Sequence, residues 1–398
     1  MRYAWFLSLA ALVLVAPGCS HPERRMAVPE NLTVKAVIPG IPGARYWVDI
    51  DSEAMLRDGL AGLEQERAFL ARSGHKGRLP PAIFLAVSGG GDNGAFGAGL
   101  LIGWTEAGDR PEFKIVTGIS TGALIAPFAY LGPDYDDELR TVFTTISPDD
   151  VLEKRNLLAA LFDDAMADNA PLWKLVGRFV NDDMLRAIAR EHEKGRFLLI
   201  GTTNLDARRA VVWNMGAIAA SRDSKALGLF RSILVASAAI PGAFPPVMID
   251  VEAQGTRYQE MHVDGGAMAQ VILYPASLNL RKESETRGIT RERRLYIIRN
   301  ARLDPEWASV ERQTLSILGR AIQSLIHTQG IGDLYQIYLI AERDGVDYNL
   351  AYIPPSFDPV HEEEFDTTYM RTLFDTAYRM SRDGYPWHET PPGYQTSE

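Results

Sequence analysis

The sequence predicts an α/β fold with three layers, in which helices cover both faces of a mostly parallel central sheet. Apolar runs of strand length alternate with helix-forming segments along the chain, and two of these runs end in glycine-rich turns. The composition agrees with this fold, since 398 residues with 46% hydrophobic side chains can bury a large core.

The predicted strands are short, continuous apolar runs, as expected for strands that are buried on both faces. They occupy residues 82–87, 113–116, 197–203, 210–213, 258–263 and 295–298. Predicted helices occupy residues 52–71 and 123–130, and a further one follows the glycine-rich run at residues 89–94. A later helix is indicated by apolar residues at helical spacing, namely Leu315, Leu318, Ile322, Leu325 and Ile326. We expect this helix to pack against the core, with membrane contact as the alternative.

A serine flanked by glycines marks the junction of a predicted strand and a predicted helix. Ser120 lies between Gly118 and Gly122, directly after the strand at residues 113–116. A sharp strand-to-helix turn admits only small neighbours, and it exposes the serine hydroxyl beside the positive end of the helix. The pattern therefore predicts a nucleophilic serine.

A glycine-rich run follows the first predicted strand and supplies backbone N–H groups that no side chain obstructs. Its glycines are Gly89, Gly90, Gly91 and Gly94. Such groups suit a developing oxyanion. The run also fits the Gly-X-Gly-X-X-Gly fingerprint of dinucleotide binding, but the acidic residue that this fingerprint requires would be Asp109 or Glu112, and neither clearly ends a second strand.

The serine needs a group that accepts its proton, and histidine is the usual one. None of the seven histidines stands in a setting that singles it out: His21, His75, His192, His262, His327, His361 and His388. Asp264 is better placed, because it ends a predicted strand and is followed by Gly265 and Gly266, which allow a tight turn. We therefore expect a Ser–Asp dyad.

Four segments carry a family resemblance, which covers about residues 82–280. Residues 88–94, 118–122, 237–246 and 264–266, in this order, resemble the patatin-like phospholipase family. The resemblance implies a domain that hydrolyses acyl esters of lipids with a Ser–Asp dyad and without a metal or cofactor.

The resemblance also implies a role for each motif residue. Ser120 is then the nucleophile, Asp264 is the base, and the N–H groups around Gly90 and Gly91 form the oxyanion hole. Many members of the family carry Arg or Lys where this chain has Asn93, and Asp where it has Ser88. Because the oxyanion donors are backbone groups, this departure affects the expected lipid headgroup more than the expected hydrolysis.

The N-terminus predicts export. Arg2 precedes an apolar run at residues 3–16 that suits the core of a signal peptide, and Cys19, the only cysteine of the chain, follows it. This resembles a bacterial lipoprotein processing site, although Ala16 stands where leucine is usual. We expect residues 1–18 to be removed and Cys19 to carry lipid at the outer membrane, facing the periplasm. Ordinary cleavage to a soluble periplasmic or secreted protein is the alternative.

These expectations combine into one functional hypothesis with two alternatives. We expect an N-terminal extension at residues 19–81, a catalytic domain at residues 82–280, and a C-terminal strand and helix extension at residues 281–398 that packs on it. Lipid esters and a membrane surface are the expected partners, and the net charge of −10 argues against nucleic acid. The alternatives are a non-catalytic lipid-binding or partner-binding envelope protein on the same fold and an acyltransferase.

Overall fold

The structure is a computed structural model that describes residues 24–154, 164–361 and 363–394. The predicted signal peptide and Cys19 lie outside the described residues. Within the described residues the strands are β1 (Arg45–Trp47), β2 (Ala82–Val87), β3 (Ile115–Gly118), β4 (Glu153–Lys154), β5 (Ala167–Asp168), β6 (Phe197–Asn204), β7 (Arg209–Asn214), β8 (Val247–Ala253), β9 (Thr256–Asp264), β10 (Arg293–Arg299) and β11 (Asp347–Tyr352).

The described residues also form twelve α-helices. They are α1 (Ser52–Arg72), α2 (Gly94–Ala107), α3 (Thr121–Leu131), α4 (Asp136–Thr144), α5 (Pro148–Val151), α6 (Ala170–Phe179), α7 (Asp182–Glu193), α8 (Met215–Ala220), α9 (Ala226–Ser237), α10 (Leu280–Arg287), α11 (Thr314–Asp344) and α12 (Thr367–Arg382). Short 3-10 helices occupy Glu30–Lys35, Gly91–Asn93, Pro133–Tyr135 and Gly265–Ala267.

The central sheet has a parallel middle and an antiparallel side. Strands β6, β3, β2, β10 and β11 lie next to one another in this order and run parallel. On the β6 side, β7, β1, β9 and β8 are added by antiparallel pairing. Strand β10 pairs with β2, the strand that precedes the glycine-rich loop, and β11 pairs with β10. The C-terminal part of the chain therefore completes the central sheet.

Helices cover both faces of this sheet because its strands are apolar on both faces. Along β2, Leu85 and Val87 pack into one core with α2, α3 and α12, whereas Phe84 and Ala86 pack into another with α11. Alternation of side chains along a strand produces this division. The predicted three-layer α/β/α fold is confirmed.

The predicted packing of the late amphipathic helix is wrong for its N-terminal half. Helix α11 is present, but Leu318, Ile322 and Leu325 are exposed to solvent by 53%, 43% and 70%. The C-terminal half supplies the core contacts instead, through Leu334 and Ala341 among others. Helical spacing shows that a face is apolar, but it does not say what that face contacts.

Within the part of the chain that the structure describes, no helix has both the length and the apolar character needed to cross a bilayer.

Two glycines allow α2 to lie unusually close to α12. A Cβ atom placed on Gly99 would be 2.2 Å from the carbonyl oxygen of Phe374, and one on Gly103 would be 2.2 Å from that of Tyr378. Contacts this short with backbone atoms require the helices to move apart.

We therefore expect Gly103→Ala to lower the free energy of unfolding by about 1–3 kcal/mol, as overpacking does elsewhere. Gly59→Ala in α1 is the matched control, because a Cβ there meets no atom within 4 Å and a helical Ala should add about 0.5–1 kcal/mol. Urea unfolding of both variants measures the difference. Equal stability of the two variants would contradict the close packing of α2 on α12.

Candidate active site

The turn that carries Ser120 is strained and leaves no room for larger neighbours. Ser120 has φ 55° and ψ −126° between β3 and α3, a backbone region that residues other than glycine rarely adopt. A Cβ on Gly118 would lie 2.4 Å from the carbonyl oxygen of Gly122, and a Cβ on Gly122 would lie 2.3 Å from that of Val87. The predicted requirement for glycine on both sides of the serine therefore has a steric cause.

A second serine fixes the backbone of this turn. The N–H of Ser120 donates a hydrogen bond of 3.0 Å to Oγ of Ser237, whose hydroxyl donates in turn to the carbonyl oxygen of Gly201 at 2.7 Å. Ser237 ends helix α9 and is fully buried. The sequence drew attention to the segment that contains Ser237, but not to this contact.

Sheet pairing brings Asp264 to Ser120. Along one edge of β6, β3 pairs up to Gly118 opposite Ile200, and β9 arrives from the other direction and ends with Asp264 opposite Thr202. The end of β9 and the turn after β3 therefore meet at the same point. There the Ser120 hydroxyl lies beside the Asp264 carboxyl group, close enough to lower its pKa.

The environment of Asp264 makes its carboxyl group an unusually strong base for an aspartate. Burial raises its pKa from 3.8 to about 7, because the ionised form loses its hydration. The neighbouring Ser120 hydroxyl and the hydrogen bond from the N–H of Gly266 act in the opposite direction and lower the pKa. The Gly266 bond is 2.7 Å long, and Gly265 and Gly266 form the tight turn after the strand.

The four glycines of the loop differ in what their N–H groups do. The N–H of Gly89 donates to the carbonyl oxygen of Gln270 at 3.2 Å, and that of Gly94 donates to carbonyl oxygens within the loop. The N–H groups of Gly90 and Gly91 have no acceptor among the described residues. Of the four glycines that the sequence suggests for an oxyanion hole, Gly90 and Gly91 therefore have free N–H groups, whereas the N–H groups of Gly89 and Gly94 are occupied.

The loop lies against Ser120 and is held from below by Asn300. A Cβ on Gly89 would be 3.1 Å from Cβ of Ser120, and a Cβ on Gly90 would be 2.1 Å from the carbonyl oxygen of Asn300. The Asn300 side chain donates to the carbonyl oxygen of Ser88 at 2.9 Å and accepts from the N–H of Gly97 at 3.0 Å. One buried amide thus joins the two ends of the loop.

The outer side of the loop is held by the C-terminal part of the chain. The carboxylate of Asp92 is 2.7 Å from Nε2 of His361 and accepts the N–H of Phe365 at 2.9 Å. The Tyr369 hydroxyl donates to Oδ1 of Asn93 at 2.6 Å. These contacts explain why positions 92 and 93 carry an acid and an amide in this chain.

A buried cation lies behind the loop. Arg299 is 3% exposed, its Nη1 is 3.4 Å from the carbonyl oxygen of Gly89, and its Nε has no hydrogen-bond partner in the described part of the protein. Burial lowers the pKa of Arg299 to about 10, and Asp333 partly opposes this. The position of Asn93 lacks the cation that many family members carry there, but this guanidinium keeps a positive charge beside the loop.

His262, the histidine nearest to Asp264 in the sequence, makes its hydrogen bonds elsewhere. His262, two residues before Asp264, is fully buried between Glu260 and Thr202, with Nε2 3.1 Å from the Glu260 carboxylate and Nδ1 2.9 Å from the Thr202 hydroxyl. Burial lowers the pKa of His262. No histidine of residues 24–154, 164–361 and 363–394 is hydrogen-bonded to Ser120. In the same residues, no three or more His, Cys, Asp or Glu side chains are arranged to hold a metal ion.

Both members of the Ser–Asp pair are shielded from water. Ser120 is 7% exposed and Asp264 is 4% exposed. A recess of about 320 Å³ lies nearby and is lined in part by Met268, Val271 and Ile272, which follow the turn after Asp264. This apolar recess contains neither Ser120 nor Asp264.

The sequence pattern points to Ser120 and Asp264, but not to the residues that contact the serine turn and the glycine-rich loop. Ser237, Gln270, Asn300 and His361 act on the site through backbone hydrogen bonds or through Asp92. Their partners are up to 269 positions away in the chain. Asn300 offered one signal, since it directly follows the predicted strand at residues 295–298.

Two comparisons find similarity to known proteins, and a third finds none. The model of the family described as patatin-like phospholipase matches residues 85–277. Among solved structures, the crystal structure of VipD from Legionella pneumophila is similar with a TM-score of 0.36 and 12% sequence identity, over 77% of this chain and 67% of that chain. No curated protein matches the chain.

We expect Ser237→Ala to destabilise the protein, because it leaves the buried N–H of Ser120 and the carbonyl group of Gly201 without partners. The expected loss is about 1–3 kcal/mol in the free energy of unfolding. Ser232→Ala is the matched control on the same helix, since its exposed hydroxyl only bonds to the carbonyl oxygen of Gly228, and it should change stability by less than about 0.5 kcal/mol. Urea unfolding compares the two variants, and a Ser237→Ala protein as stable as its control would contradict the role of Ser237.

Proposed function

Because residues 85–277 form a patatin-like phospholipase domain, we propose that this protein is a serine acyl hydrolase that cleaves carboxylic esters of lipids. One observation carries the proposal: the hydroxyl of Ser120 lies beside the buried carboxyl group of Asp264, whose pKa is raised to about 7. A base with this pKa can take the serine proton at neutral pH and return it to a leaving group.

The proposed reaction proceeds in two halves. Oγ of Ser120 attacks the ester carbonyl carbon while its proton passes to Asp264, and the oxygen of the tetrahedral intermediate accepts hydrogen bonds from the N–H groups of Gly90 and Gly91. The intermediate collapses to the acyl-enzyme as the departing alcohol takes the proton from Asp264. Water then attacks the acyl-enzyme, with Asp264 again as the base, and releases the fatty acid.

The location of the protein is part of the same proposal. An N-terminal lipid at Cys19 would hold the enzyme at a membrane that contains its substrates. This part of the proposal rests only on the sequence of residues 1–20.

Labelling with a fluorescent fluorophosphonate tests the dyad. We expect the unchanged protein to label, Ser120→Ala to remain unlabelled, and Asp264→Asn to label at least about 10²-fold more slowly, the smallest effect usual for a lost general base. Ser232→Ala serves as the control and should label at the normal rate. Circular dichroism shows whether each variant is folded.

Each outcome separates the alternatives. Labelling of Ser120→Ala would contradict its role as nucleophile. A folded but unreactive unchanged protein would favour a non-catalytic lipid-binding protein. Product analysis with an added alcohol distinguishes hydrolysis from acyl transfer.

The pH dependence of activity tests the base. Because Asp264 must be ionised to accept a proton, kcat/KM for a soluble p-nitrophenyl ester should rise about tenfold per pH unit in acid and level off above about pH 7. The absorbance at the isosbestic wavelength of nitrophenol measures the rate. A flat profile between pH 5 and 9 would contradict the raised pKa.

The free energy of unfolding should fall as the pH rises, whereas kcat/KM should increase. A carboxyl group with a raised pKa binds its proton more tightly in the folded than in the unfolded state, so it lowers stability as the pH rises from about 4 to about 7. Asp264→Asn removes this ionisation. The variant should therefore gain stability relative to the unchanged protein between pH 5 and pH 8.

A further inference from the structure

The first half of helix α11 presents an apolar face to solvent. Ile317, Leu318, Ile322 and Leu325 are exposed by 53%, 53%, 43% and 70%. At about 100° per residue, Leu318, Ile322 and Leu325 fall within an arc of about 60°. We call these four residues the apolar face of α11. A contiguous exposed surface of this kind is unusual on a soluble protein and marks a site of contact.

The first half of α11 turns its polar side, and not its apolar side, towards the rest of the protein. Ser316, Arg320 and His327, on the opposite side, are half-buried, and Arg320 hydrogen-bonds to the carbonyl oxygen of Glu306. An amphipathic helix that belongs to a core turns its apolar side inward. Here the polar side faces the protein, so the apolar face is directed to something else.

The helix that carries the apolar face contacts the chain just after Asp264. The side chain of Gln329, about one turn after Leu325, donates to the carbonyl oxygen of Met268. Met268 is 43% exposed and directly follows the turn Gly265–Ala267 after Asp264. A surface docked on this face would therefore lie beside the segment that follows Asp264.

The charge of this segment suits a lipid surface. The whole chain has a net charge of −10, but the segment from Arg312 to Gly332 contains no Asp or Glu. The same segment contains Arg312, Arg320 and His327. Acidic side chains would be repelled by anionic headgroups. Trp307, just before the helix, is 89% exposed, and tryptophan favours the boundary between water and acyl chains.

We propose that the apolar face of α11, together with Trp307, binds the surface of a lipid bilayer by inserting among the outer ends of the acyl chains. This inference rests on the proposed function insofar as the bilayer supplies the ester. The helix lies in the plane of the interface, as amphipathic helices with such faces do. Docking there brings membrane lipids to the turn that carries Asp264.

Vesicle binding tests the proposal independently of catalysis. All proteins carry Ser120→Ala, to prevent hydrolysis, and Cys19→Ser, to exclude an acyl anchor, and they are mixed with vesicles of phosphatidylcholine and phosphatidylglycerol. We expect co-sedimentation, and we expect Leu318→Glu with Leu325→Glu to weaken it by about tenfold for each leucine. Leu339→Glu is the matched control. Leu339 is 62% exposed on the same helix, but it lies about 21 Å beyond Leu325 along the helix axis.

A local readout shows which part of the protein inserts. Brominated acyl chains should quench the fluorescence of Trp307, measured as the difference between proteins with and without Trp307→Phe. Unquenched Trp307, or equal binding by the double variant and the Leu339→Glu control, would overturn the proposal. So would light scattering that shows a dimer which the double variant abolishes, because a second copy of the chain would then cover the face.

Hydrolysis of a soluble short-chain ester separates this proposal from the proposed function. With Ser120 intact, Leu318→Glu with Leu325→Glu should retain the full rate on such an ester and lose activity on vesicles. An enzyme that hydrolyses the soluble ester but never binds vesicles would overturn the docking proposal alone. Binding and Trp307 quenching without any hydrolysis would support docking and contradict the hydrolase.

Discussion

The site depends on one constraint of the sheet, namely that β3 and β9 share a single edge of β6. A parallel strand and an antiparallel strand meet there end to end, with Gly118 opposite Ile200 and Asp264 opposite Thr202. Neither strand can shift without breaking its ladder to β6. The separation of Ser120 and the Asp264 carboxyl group is therefore set by backbone pairing, which is stiffer than an arrangement of long side chains.

Close backbone approaches complete what the pairing begins. Gly118, Gly122 and Gly90 each lie where a Cβ would be within 2.4 Å of a carbonyl oxygen. These contacts bring the glycine-rich loop and the serine turn close together. The strained φ of Ser120 is maintained by the same contacts and by the bond to Ser237.

The sequence predicted the parts of the protein whose causes are local. Strand β2 was predicted with its observed ends, because a continuous apolar run bounded by glycines has few other interpretations. The turn glycines around Ser120 follow from the sterics of four or five consecutive residues. By contrast, the contact of His361 with Asp92 joins residues 269 positions apart, and no local pattern encodes it. The sequence predicts that the first half of α11 packs in the core, but its apolar side chains are exposed. Helical spacing shows which residues are apolar and does not show what they contact.

The clamp on the glycine-rich loop has a consequence for the order of events during biosynthesis. Strand β2 has no partner on one side until β10 has been made, more than 200 residues later, and Asp92 meets His361 later still. Contacts this distant in the chain form late, since the intervening loop must be closed first. The glycine-rich loop is therefore the last part of the site to become rigid. A chain still emerging from the ribosome already carries Ser120 and Asp264, but not yet the strands and contacts that hold this loop beside them.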